Sequence, residues 1–204
     1  MSDSTRKEKY EAQTREQFES LGRFVQAFEQ MVSAIRTGIE ARLQQESQNM
    51  VYFTRMIFHH RALTAWPLWE LFRGVVFTDA NELRPVTPSD ADEFHNVLSK
   101  IAKEIEALIS ARNDILHGTP FIGWTSADQE DFSEMMIVKW GVSAKGWKEG
   151  KTPTSALDLI ELGGRCKRVE EAVRQTGWVT SRSSATDRRT FLASALKALE
   201  PEPN

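Results

Sequence analysis

The sequence predicts a mainly α fold, a helical bundle with a small β-hairpin elaboration after its third long helix. Three observations predict it. Apolar residues recur at spacings of three and four through long stretches. Gly118 and Pro120 then close the third of these stretches. Beyond them, short β-type runs lead into further helical segments. The 204 residues fit one domain, or one domain with an added piece. The expected division is a helical domain over 1–178, with its hairpin at about 132–150. A polar linker and short C-terminal helix or tail follow over 179–204.

The first helix is expected over about 5–46, with Phe18, Leu21, Val25, Phe28, Val32, Ile35 and Ile39 as its apolar stripe. Residues of about 48–77 are dense in apolar and aromatic groups, and Pro67 should break or restart a helix there. A loop is expected over 78–87. Thr87-Pro88-Ser89-Asp90 then starts the third long helix, with Thr87 as N-cap and Pro88 in the first turn. That helix should run to about His117. Met135, Ile137, Val138, Trp140 and Val142, then Gly146, Trp147 and the Glu149-Gly150-Lys151 turn, read as the hairpin. A helix from about Thr154 to Gln175 carries Leu157, Ile160, Val169 and Val173. A last short helix carries Phe191, Leu192, Leu196 and Leu199.

Composition bounds the function. The charges, 26 Lys+Arg against 29 Asp+Glu, sum to -3, which argues against a broad nucleic-acid-coating surface but leaves room for a small basic site. No run approaches the length of a membrane-spanning helix, and the first residues lack the apolar core of a secretory signal. Cys166 is the only cysteine, so no intramolecular disulfide forms and a cytoplasmic location is expected. His59 and His60 are adjacent and point about 100° apart on a helix, and no metal-ligand spacing is present, so neither a metal nor a cofactor is expected.

One helix position breaks its own pattern. Val97, Ile101, Ile105, Leu108 and Ile115 share one arc, and Arg112 falls in the middle of the gap between the last two. A guanidinium in an apolar stripe needs a carboxylate, a second subunit or an anionic ligand to compensate it. Asn113 and His117 lie four apart and share a face, while Asp114, three before His117, is placed to orient the imidazole. Arg112 and His117 are about 140° apart around the helix. Metal-free RNA cleavage suits this set. A His moves protons near neutral pH, an Arg forks a phosphate, and an Asn binds the phosphate or sets the His tautomer.

The segment Arg112-Asn113-Asp114-Ile115-Leu116-His117-Gly118 resembles the R-x-x-x-x-H motif of HEPN domains, with the common Arg-Asn start and with a Gly directly after the His. The resemblance covers a helical core of about 15–118, with 154–176 as a later helix. It implies a metal-independent endoribonuclease that cleaves RNA by 2′-hydroxyl attack at a composite site in a homodimer. Such proteins serve as toxins, with an antitoxin or other regulatory partner, or as effectors of phage defence. Carried onto this chain, the motif residues are Arg112, Asn113 and His117. The alternative is a catalytically inactive HEPN-like binding or adaptor module. A second Arg-to-His match, Arg55 with His60, lies upstream. Asp114, Lys139, Lys145 and Lys148 are the further substrate-binding candidates. Lys139, Lys145, Lys148 and Lys151 interleave with Trp140 and Trp147, a pattern that suits single-stranded RNA. The simpler and preferred reading of that pattern is a ribbon whose indoles cover the bundle while its lysines are solvated.

Overall fold

The computed structural model describes residues 3–46, 64–82, 88–122, 132–143, 146–178 and 185–201. Among them the chain forms five helices and one small sheet: α1 (Asp3–Glu46), α2 (Ala65–Glu82), α3 (Pro88–Leu116), β1 (Thr119–Ile122), β2 (Glu134–Ser143), β3 (Gly146–Ser155), α4 (Ala156–Gly177) and α5 (Ala185–Ala198). The fold is thus mainly helical with a three-stranded antiparallel sheet, in the order β1-β2-β3. Two compact units divide the chain. One takes Met1–Ala27 and Leu108–Gly164, and the other Phe28–Ala107 and Arg165–Asn204.

The first unit holds the start of α1, the end of α3, the sheet and the start of α4. Its part of α1 buries Gln17, Ser20, Phe24 and Ala27. That face lies about one residue away from the expected stripe. Phe18 is 51% exposed, and Leu21 and Val25 are half-buried. The cause is a polar anchor. Gln17 Nε2 donates to the carbonyl of Phe132 at 2.8 Å, and Gln13 Oε1 accepts from the Phe132 amide at 2.9 Å. Two glutamines one turn apart thereby satisfy both backbone groups of the residue that leads into β2. The Phe132 ring packs edge-on against Tyr10, with centroids 5.1 Å apart.

The sheet differs from the expected hairpin in three ways. A third strand, β1, pairs with β2 from Thr119↔Val138 to Ile122↔Met135. Pro120 fits there because β1 is an edge strand, where a missing N–H costs no ladder bond. The pairing of β2 with β3 runs from Glu134↔Ser155 to Ser143↔Gly146, so the strands do not reverse at residues 149–151. Glu149, Gly150 and Lys151 therefore lie within β3, not in a turn. Finally, β3 runs to Ser155, and α4 starts at Ala156. A reciprocal cap sets that start. Asp158 Oδ2 accepts from the Ser155 amide at 2.7 Å, while the Asp158 amide donates to Ser155 Oγ at 3.2 Å.

In the second unit α1 buries Phe28, Met31, Val32, Ala34, Ile35 and Ile39, and α3 buries Phe94, Val97, Leu98, Ile101 and Ile105. Burying each large side chain contributes about 1.5–3 kcal/mol. Pro67 sits in the first turn of α2, where it restarts the helix and leaves no i→i−4 bond broken. The helix then continues through Thr78–Glu82, where the sequence predicts a loop, and residues 83–87 lie outside the described residues. The segment Thr78-Asp79-Ala80-Asn81-Glu82 has neither Gly nor Pro to stop it. Buried Arg42 donates from Nη2 to the carbonyl of Gly177 at 3.2 Å and so serves the exposed C-terminal acceptors of α4.

On α4 the buried face comprises Leu159, Cys166, Val169, Ala172 and Val173. Leu157 and Ile160, expected on that face, are 75% and 47% exposed. They precede Cys166 by nine and six residues, which places them about 180° and 240° around the helix from it. Arg165 of α4 pairs through Nε with Glu104 Oε2 of α3 at 3.0 Å.

Candidate functional site

The end of α3 and the first turn beyond it hold the motif, all within the first unit. Leu108 and Ile115 are buried on either side of Arg112, as the stripe requires. Arg112 itself is half-buried. Its guanidinium Nε is buried and makes no hydrogen bond among the described residues, so part of the charged head lies within the apolar row. Arg112 Nη1 donates to Asn113 Oδ1 over a long 3.4 Å. That contact leaves the Asn113 amide NH2 as a donor for a ligand.

His117 lies just past the helix. Its amide makes a last helical bond, to the carbonyl of Asn113 at 3.1 Å. Its side chain is exposed and makes no hydrogen bond among the described residues. An exposed imidazole is accessible to a bound ligand.

Asp114 does not orient that imidazole. Its Oδ1 accepts from Lys139 Nζ of β2. The reason is the strand: Ile137 and Lys139 point to the same face, and Ile137 is the residue against which Gly118 packs. The sheet thus delivers Lys139 to the last turn of α3. Two predicted substrate-binding residues are brought together as an ion pair. A cation engaged by a carboxylate is a weaker phosphate anchor than a free one.

The remaining candidates are placed as follows. Lys145 lies outside the described residues. Lys148 is placed only by its backbone register, opposite Gly141. The side chains of Trp140 and Trp147 lie outside what is described, as do Arg55, His59 and His60. Lys151 is exposed on β3 and pairs in register with Val138. Among the described residues no three His, Cys, Asp or Glu side chains gather as metal ligands. No helix among them is long and apolar enough to cross a membrane.

Sequence reasoning did not find the Lys139–Asp114 pair or the Gly118 contact. An added Cβ at Gly118 would meet Ile137 Cγ2 at 2.2 Å and the Asp114 carbonyl at 3.0 Å. Its backbone is not in the left-handed region, so the glycine serves close approach and not a left-handed helix cap. A Gly directly before an edge strand was the available signal.

The scan of family models finds no match for this chain, and the searches of curated proteins and of solved structures find none either.

Proposed function

We propose that this protein is a HEPN-type, metal-independent endoribonuclease that works as a homodimer, in the cytoplasm, as a toxin or phage-defence effector. The observation that carries the reading is the end of α3. A half-buried Arg112 leans on Asn113, and five residues on His117 stands exposed. In the reaction, the ribose 2′-oxygen attacks the adjacent phosphorus and the bond to the 5′-oxygen breaks. The products are a 2′,3′-cyclic phosphate and a 5′-hydroxyl. His117 moves the proton, Arg112 holds the phosphate charge that builds in the transition state, and the Asn113 amide hydrogen-bonds a phosphate oxygen. A second subunit supplies the facing motif, and an antitoxin or other regulatory partner controls it.

The other reading is an inactive HEPN-like binding or adaptor module with the same fold. It calls for Arg112 sealed by a Glu or Asp and for a buried His117, whereas the His117 side chain here is exposed. Cleavage of single-stranded RNA in EDTA, parent against His117→Ala, separates the two. The expected loss in His117→Ala is about 10²- to 10⁴-fold. Equal rates would remove the catalytic role and leave the binding module.

A further inference from the structure

A helix ends with its carbonyls exposed and a partial negative charge, so a cation near its last turn stabilises it and an anion does not. The last turn of α3 contains no basic residue, and it carries Asp114. The missing cation comes from another element, since Lys139 of β2 reaches Asp114. Two more ties bind the same short stretch: the His117 amide on the Asn113 carbonyl, and Gly118 pressed on Ile137. Ile137 and Lys139 are alternate residues of the central strand and hold the turn from one face.

We propose that Lys139 and Asp114 are positioning residues, a clamp that fixes the His117 turn against the sheet, with Lys139 acting through Asp114 and not by gripping RNA. The effect on cleavage rests on the ribonuclease reading. The effect on His117 rests on the geometry alone. The pair is 36% and 48% exposed, so it adds little to global stability. What it restricts is the fraying of one helix end, the place where small displacements reach His117 directly.

The two roles open to Lys139 predict opposite signs. In a clamp, Lys139→Met and Asp114→Asn do the same harm, because either change breaks the tie. With a direct phosphate contact, Lys139→Met weakens RNA binding while Asp114→Asn strengthens it by releasing the ammonium. The test uses the full chain, a single-stranded RNA and EDTA, with kcat and KM measured separately. The His117 imidazole resonances are followed by NMR and assigned with His117→Ala. The clamp predicts that each single variant lowers kcat about tenfold with KM nearly unchanged. It predicts that each moves the His117 resonances, and that the swapped pair Lys139→Asp with Asp114→Lys restores both toward the parent. A raised KM in Lys139→Met with a lowered KM in Asp114→Asn overturns it. So do His117 resonances that neither single variant moves. If the parent cleaves nothing while the resonances still move, the ribonuclease reading falls and the clamp stands.

Discussion

Cys166 is fully buried on α4, between half-buried Arg165 and exposed Lys167. Burial disfavours its thiolate and pushes the thiol from 9.0 up to about 12, while the Arg165 charge and a backbone hydrogen bond pull it partly back. In the unfolded chain the thiol loses its proton near its ordinary value, while the native thiol keeps it. The native state thus holds more protons across that window, and stability falls with rising pH. The contribution is complete below the unfolded value of 9.0 and is lost as pH climbs toward about 12. Cys166→Ala removes the titration. Between roughly pH 8 and pH 11 the urea midpoint of the parent should therefore fall more steeply than that of the variant. Parallel slopes would mean that the native thiol titrates freely. The same burial makes Cys166 a poor nucleophile.

Two glycines of α1 carry a sharper test, because the same substitution should act with opposite sign along one helix. An added Cβ at Gly22 meets nothing within 4 Å, whereas one at Gly38 meets Phe72 Cε2 at 2.5 Å, on a fully buried ring of α2. Gly22→Ala removes only the entropic cost of a helical glycine and should stabilise by about 0.5–1 kcal/mol. Gly38→Ala gains the same term but overpacks the α1–α2 crossing, for a net loss of about 1–2 kcal/mol. Urea unfolding of both variants checks this, and a loss at Gly22 or a gain at Gly38 would refute it. Element existence was legible in this sequence because apolar spacing is strong over long helices. The stripe of α3 was read correctly from Val97 to Ile115, and Pro88 marked its start. The first half of α1 was misread by about one residue, because Gln17 and Ser20 are buried there while Phe18 is exposed. Periodicity ranks apolar groups, and no pattern in α1 announces that Gln13 and Gln17 will bond a residue more than a hundred positions away. The same limit hid the pairing at the candidate site. Arg112, Asn113 and His117 stood out through local spacing, but Asp114 and Lys139 meet only because β1 turns back along β2. The start of α4 was a local signal that went unused, since Ser155 and Asp158 have the spacing of a capping box.

At the scale of the whole molecule, charge bounds how the proposed RNA substrate would be held. A net charge of -3 disfavours a broad basic coat for a polyanion. In the proposed ribonuclease, with Lys139 paired to Asp114, Arg112 is the motif residue assigned to the phosphate in each copy. Two copies in the proposed homodimer then neutralise about two phosphates. Each neutralised phosphate on a single strand contributes a slope of about -0.7 in log affinity against log salt. The compact site thus predicts a slope of about -1.4, and a broad basic coat of eight contacts about -5.6. Titrating a fluorescent single-stranded RNA with His117→Ala protein, which should bind without cutting, measures this slope across a range of salt. A value steeper than about -4 would show that RNA contacts the chain well beyond the motif. The compact site would then be rejected even if cleavage were demonstrated. A shallow slope that disappears with Arg112→Ala would tie the binding to the one cation that interrupts the apolar stripe of α3.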